Sequence, residues 1–157
     1  MMIKRDNIDK NLFEQAFEFF YWFSRFEFCL KENKYLESEK EGSKALPGWD
    51  KFVNAFSSNY TQSDNAKKFV SLKPLQQKVG KNNSLVWSDI NLANDNQLQQ
   101  VVRTLKTIRN NLFHGGKHSV EGWDDIKRTE ELLVMGVQVM KEIVQMVGWA
   151  DDFERIY

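Results

Sequence analysis

The run Phe19-Phe20-Tyr21-Trp22-Phe23 leaves a helix almost no polar side. It lies in a longer periodic stretch. Ile8, Leu12, Ala16, Phe19, Phe23, Phe26 and Leu30 recur at steps of three and four, which is one helical face. A second row, Phe13, Phe17, Phe20 and Phe28, is interrupted by Ser24. The spacing predicts a first helix that starts near Asp6 or Asn7, both good N-caps, and runs into the low thirties. A helix apolar nearly all round must be covered on more than one side. Either a second subunit supplies the extra cover, or a thick aromatic core does so within one chain.

The rest of the chain favours helices as well. Leu98, Val101, Val102, Leu105, Ile108 and Leu112 form one stripe that stops at Gly115-Gly116, a helix-ending signal. A last long helix is predicted from Asp124 or Asp125, with acidic residues at its positive end, to about Gly148. Its main stripe is Ile126, Leu133, Val137, Met140, Val144 and Val147. Between these lie a charged loop ending in Pro47-Gly48, a short helix carrying Trp49, Phe52, Val53 and Phe56, and a polar loop over 57–66. Phe69, Leu72, Leu75 and Val79 give a further short apolar period, broken at Pro74. Residues 80–97, rich in Asn, Asp, Ser and Gly, read as a structured loop with room for one helical turn. The expected fold class is all-α: an antiparallel helical bundle of four to five main helices with a long middle insertion.

Composition narrows the choice further. A chain of 157 residues is the size of one domain, and 41% hydrophobic with 28% charged residues excludes general disorder. Only 8 Gly and 2 Pro argue against a many-stranded β fold. A single cysteine, Cys29, excludes an internal disulfide framework and a cysteine-rich zinc site, and is expected to act as a small apolar side chain. No window of 18 uninterrupted apolar residues occurs and no apolar signal segment opens the chain, so a cytoplasmic protein without a membrane partner is expected. Net charge is zero but unevenly spread: residues 66–119 hold 9 basic and 2 acidic residues. Such a basic middle either meets a polyanion or pairs with the acidic flanks of the chain.

One basic residue stands out. On a wheel of 100° per residue, Arg109 falls about 20° from Leu98, inside or at the edge of the apolar stripe. A guanidinium there needs a carboxylate, a subunit interface or a phosphate. Glu14, Glu18 and Glu27 of the first helix are the carboxylate candidates. Arg103 and Lys106 lie off the stripe.

The surrounding run is Ile108-Arg109-Asn110-Asn111-Leu112-Phe113-His114-Gly115-Gly116. It resembles the Arg-x4-His signature of HEPN domains, in the form with Asn directly after the Arg. The motif's position at the end of an amphipathic helix, before a Gly turn and a long apolar helix, also resembles that family. The sharp likeness covers about residues 101–118; the likeness in helix order covers most of the chain. The resemblance implies a single HEPN-like helical domain over residues 1–157 that forms a homodimer with two motifs facing each other. It further implies a metal-independent endoribonuclease of the toxin–antitoxin or phage-defence kind, with RNA as substrate and a cognate antitoxin or regulatory protein as a further partner. Some members are inactive and serve as RNA-, nucleotide- or partner-binding modules, which is the alternative. In some toxins a Tyr two residues after the His is modified with AMP; here that position is Gly116, which argues against that control.

The residue chemistry suits RNA cleavage on independent grounds. The 2′-OH of RNA is a built-in nucleophile, so cleavage needs a base, an acid and positive charge at the phosphorane. Histidine has the pKa for the first two tasks, and arginine gives permanent bidentate phosphate recognition. The expected catalytic residues are therefore His114 as acid or base, Arg109 as phosphate clamp and Asn110 as orienting partner. Asn111 points away from the stripe and ranks below them. Lys106, Lys117 and His118 are candidates for weaker RNA contacts, and Lys67, Lys68, Lys73, Lys78 and Lys81 for a track along the RNA backbone. Trp87, Tyr60 and Trp49 are either base-stacking platforms or core. No cofactor is expected. His114 and His118 share a helical spacing, but Gly115-Gly116 intervenes and no carboxylate is adjacent, so no metal site is expected. A third reading is a structural interaction protein in which Arg109 sits in a salt bridge and His114 caps the helix.

Overall fold

The computed structural model describes residues 9–114 and 126–155. Among the described residues six helices and one small two-stranded sheet occur, and the chain is mostly helical. α1 spans Lys10–Glu32, α2 Trp49–Phe56, α3 Asp64–Ser71, α4 Gln97–Phe113, α5 Ile126–Val147 and α6 Ala150–Glu154; β1 is Gln76–Val79 and β2 Leu85–Ser88. Gly115, Gly116, Lys117, His118 and the expected start of the last helix at Asp124 or Asp125 lie outside the described residues.

α1 is the element on which the others pack. At 23 residues it is about 35 Å long. Its N-cap is Asp9, not Asp6 or Asn7: the Asp9 carboxylate accepts a hydrogen bond from the Leu12 N–H at 3.0 Å. At the other end Asn33 Nδ2 donates to the Cys29 carbonyl at 2.8 Å. Lys34 then turns into the left-handed region (φ 69°), which lets the Tyr35 N–H reach the Leu30 carbonyl. The predicted face is buried at Leu12, Phe19, Phe23, Phe26 and Leu30 and half-buried at Ala16. It meets chiefly α5, with α6 and α4 against its flanks.

The α1–α5 contact depends on Gly136. A Cβ there would lie 2.7 Å from the Phe19 ring, so the absence of a side chain is what admits Phe19. Farther along, Phe26 stacks on Trp49 with ring centroids 5.0 Å apart, and Phe52, Tyr35 and Trp149 close round them. This aromatic cluster joins α1, α2 and the α5–α6 corner. The thick core expected from the aromatic run is therefore present within one chain, although it does not cover all of α1.

Arg25 of α1 is 6% exposed, a burial the sequence reading did not anticipate. Its Nε donates to the Phe153 carbonyl at 3.2 Å and its Nη2 to the Asp152 carbonyl. The guanidinium thus satisfies carbonyls at the end of α6, where a cation is favoured by the helix dipole.

The middle segment departs from the all-α expectation. Residues 57–66, read as loop, already contain the first turn of α3, capped by Ser63 Oγ, which accepts from the Ala66 N–H at 3.0 Å. Residues 76–88 form an antiparallel hairpin in which Gln77 stands opposite Trp87 and Val79 opposite Leu85. Its turn includes Asn82 and Asn83, both at positive φ (53° and 58°), which asparagine tolerates better than most residues. Local turn chemistry overrides the helical period there.

Two buried acids are set by the packing. Burial, with the Asp152 carboxylate adding to it, pushes the Cys29 thiol from 9.0 up to about 11. Burial, with Glu142 nearby, pushes the Tyr60 phenol from 10.0 up to about 12. Both groups are neutral when protonated, and both hold their proton more tightly in the folded state. Stability is therefore expected to fall as pH rises from about 9, where the unfolded chain begins to lose protons that the folded chain retains. For Cys29 the full loss is roughly 2–3 kcal/mol. Melting temperatures measured from pH 8 to 11 should decline, with a shallower slope for Cys29→Ala. Gly136→Val should lower stability by about 2 kcal/mol or more by overpacking Phe19, read from the denaturation midpoint.

Candidate functional site

α4 carries its predicted stripe into the core, with Leu98, Val101, Val102, Leu105 and Ile108 buried. Asn96 caps its start, accepting from the Gln99 N–H at 2.9 Å. Arg109 and Asn110 lie in its last two turns and His114 caps its end, and three clefts open around them.

On the hairpin side, a cavity of about 270 Å³ is lined by Gln77, Trp87, Thr107, Asn110 and His114, among others. On the opposite side, Arg109, Lys106 and again Asn110 face Glu27, Glu37 and Trp49 across a cavity of about 350 Å³. Between α1 and the end of α4 runs an aromatic groove of about 350 Å³, walled by Phe13, Phe17, Phe20, Leu112 and Phe113.

Asn110 is the shared wall. Its Oδ1 accepts from Arg109 Nη1 at 2.8 Å, and its backbone carbonyl accepts from the His114 N–H at 3.0 Å. Arg109 and His114 are five residues apart, so they project about 140° from each other. Within one chain they consequently open onto different cavities, while Asn110 belongs to both. Phe113 lies between them: the Arg109 Cζ is 5.4 Å from its ring centroid, and the His114 ring meets it edge-on at 5.3 Å.

Arg109 is half-buried, as its wheel position predicts, but among the described residues it forms no ion pair. The three suggested carboxylates are engaged elsewhere. Glu14 is 3.9 Å from Lys10, Glu18 accepts from the Trp22 indole at 3.0 Å, and Glu27 from the Trp49 indole at 2.9 Å. His114 is exposed, and its ring nitrogens have no hydrogen-bond partner among the described residues.

Asn111 behaves differently from its sequence ranking. It is buried, and its Nδ2 donates to the Leu75 carbonyl at 2.8 Å. The hairpin covers the side of α4 that the wheel assigns to solvent, and Asn111 ties it there. Arg128 of α5 holds the preceding turn, donating to the carbonyls of Leu72 and Lys73. Arg103 likewise fastens the 89–96 loop through Asp95 and the Asn91 carbonyl.

The weaker candidates divide. Lys106 is exposed beside Arg109, whereas Lys117 and His118 lie outside the described residues. Lys67, Lys68, Lys73, Lys78 and Lys81 are all exposed, and Lys68 pairs with Glu131 at 3.0 Å. Trp49 and Tyr60 are buried and belong to the core, but Trp87 is only half-buried and faces the cavity of His114. Gln76, Gln77 and Thr107 join that cavity without having been singled out in the sequence. The signal that finds the two glutamines is the Asn82-Asn83 turn, which makes 76–88 a hairpin. Among the described residues, no group of three or more His, Cys, Asp or Glu is placed to hold a metal ion, and no helix is long and apolar enough to cross a membrane.

No protein-family model matches the chain, and neither a curated protein nor a solved structure matches it significantly.

Replacing Asn111 by Leu keeps the volume and removes the donor to Leu75. It should cost about 1–2 kcal/mol and speed amide exchange in residues 76–88 more than in α1 or α5, measured by hydrogen–deuterium exchange.

Proposed function

We propose that this chain is a metal-independent endoribonuclease of the HEPN kind that works as a homodimer in the cytoplasm. Its helical part is read as an antiparallel bundle that presents the end of α4. The observation that carries this reading is the end of α4 itself. A half-buried arginine there is bound by an asparagine instead of a carboxylate, and one turn later an exposed histidine has no partner among the described residues. A guanidinium that forms no ion pair among the described residues suits a phosphate, and an imidazole without a partner there is open to a hydrogen bond with substrate.

In this reading one histidine takes the proton of a ribose 2′-OH. The 2′-oxygen attacks the adjacent phosphorus, and Arg109 stabilises the charge that builds on the phosphorane. A second histidine protonates the departing 5′-oxygen, leaving a 2′,3′-cyclic phosphate and a 5′-OH end. Each chain supplies one motif histidine, and its own Arg109 opens onto a different cavity. A second copy would provide the missing acid or base and a guanidinium from the other side.

The aromatic groove supports the dimer. Phe17 and Phe113 are each 61% exposed, with Phe13, Phe20 and Tyr21 exposed beside them. A contiguous aromatic patch of this kind marks a contact surface. It adjoins the motif, so a copy seated there would bring the two sites close. A toxin or phage-defence role, with an antitoxin or other regulatory protein as a further partner, follows the same resemblance. The alternative is a binding module that holds RNA, a nucleotide or a protein without turnover.

The test is cleavage of total RNA and of a labelled oligonucleotide with EDTA present. Wild type should cut and leave cyclic phosphate ends. His114→Ala and Arg109→Ala should each lose activity by a hundredfold or more, while Arg109→Ala shifts stability by less than about 1 kcal/mol. Phe17→Glu should give a folded monomer by light scattering and lose cleavage with the dimer. An intact substrate in the presence of a folded wild-type dimer would leave the binding module.

A further inference from the structure

We infer that the cavity between the β1–β2 hairpin and α4 is a subsite for a single unpaired nucleobase, with Trp87 as its stacking platform and Gln77 as a reader of the base edge. This rests on the ribonuclease reading of the same site and adds to it a binding position for the nucleotide next to the scissile phosphate.

The cavity has the right chemistry for a flat heterocycle. Trp87 supplies a broad π face, and its indole N–H has no hydrogen-bond partner among the described residues. The Gln77 carboxamide, directly across the hairpin from Trp87, is likewise unpartnered among the described residues and offers both a donor and an acceptor. The Asn110 Oδ1 is taken by Arg109, which leaves its Nδ2 as a second donor. Nucleobase edges carry this mixture of donors and acceptors, and stacking on an aromatic side chain tolerates any base. A volume of about 270 Å³ suits one base with its sugar and not a base pair.

The surroundings suit a strand of RNA better than a neutral ligand. Between Gln76 and Ser88 the hairpin carries Lys78 and Lys81, both exposed, and no carboxylate. His114 stands in the same cavity, so a base held against Trp87 places its ribose and phosphate beside the imidazole. The platform is also held rigidly for a surface hairpin. Asn111 binds the Leu75 carbonyl at the hairpin's entry, and Gln76 Nε2 donates to the Asp89 carbonyl at 3.3 Å across its base. An anchored platform loses less conformational entropy on binding than a free loop.

The experiment separates binding from cleavage. A fluorescent single-stranded oligonucleotide with 2′-deoxyribose throughout cannot be cut by 2′-OH attack, and its affinity is read by anisotropy for wild type, Trp87→Ala, Trp87→Phe and Gln77→Ala. The loss of one stacked base is expected to weaken binding roughly 5- to 150-fold in Trp87→Ala, with most of the affinity retained in Trp87→Phe. Gln77→Ala should flatten the preference among homopolymers of the four bases. The same variants are assayed for cleavage of the all-ribose strand, where Trp87→Ala should raise KM by more than it lowers kcat.

Binding that depends on Trp87 without any cleavage by wild type would uphold the subsite and defeat the ribonuclease reading. Cleavage and binding unchanged in a folded Trp87→Ala protein would defeat the subsite and leave that reading standing. No binding of either strand by wild type would overturn the proposal. So would nucleoside monophosphates that compete as tightly as the strand, since the ligand would then be a free nucleotide.

Discussion

The approach of α1 to α5 at Gly136 is the constraint on which the remaining packing depends. Phe19 is fully buried because α5 has no side chain at that point, and the two longest helices can therefore meet closely. Once they do, the face from Phe19 to Leu30 is set for α2 and α6, and Trp49, Phe52 and Trp149 fill the volume beside Phe26. Interiors are packed at crystal density, so a methyl group at Gly136 would be felt along the whole seam. The buried Arg25 works at the far end of the same helix. It holds α6 against α1 by donating to the backbone carbonyls of Asp152 and Phe153.

α4 transmits this order to the surface. Its apolar stripe fixes its rotation about its own axis, and that rotation determines where each polar residue of the last two turns emerges. Arg109 reaches one cavity, His114 another, and Asn110 stands between them. The separation follows from helix geometry: at 100° per residue, side chains five apart project about 140° from each other. A site that needs both side chains at one phosphate must therefore draw one of them from another copy or from movement of the chain. In the proposed ribonuclease, the exposed phenylalanines of α1 and Phe113, beside the same turns, would seat the second copy.

Much of this was legible in the residues. The faces of α1 and α4, the short α2, the stop near Gly148 and the half-burial of Arg109 follow from periodicity and cap chemistry; on α5 the stripe is shifted, with Ile126 exposed, Val137 and Val147 half-buried, and Ile143, outside that stripe, fully buried. The hairpin was not legible, because four-residue strands carry too little alternation to compete with a helical reading, and only the paired asparagines at positive φ marked its turn. The burial of Asn111 is hidden for the same reason: its direction on the wheel is off the stripe, and there the hairpin takes the place of solvent. The burial of Arg25 is hidden because the carbonyls it binds lie 127 and 128 residues away, which no local pattern encodes.

The amino-acid sequence by itself determined the helical faces, the bulk of the core and the presence of an arginine, an asparagine and a histidine at the end of one helix. These are local properties: they depend on spacing along 3.6 residues per turn and on the sign of each side chain's transfer free energy. The tertiary structure alone decided which cavity each of those side chains enters, that Trp87 leaves the core and joins His114, and that the suggested carboxylates are occupied by indoles or a neighbouring lysine instead of Arg109. Those outcomes depend on contacts between residues far apart in the chain. Their energies arise only after the helices have docked, and no periodicity along the chain records them.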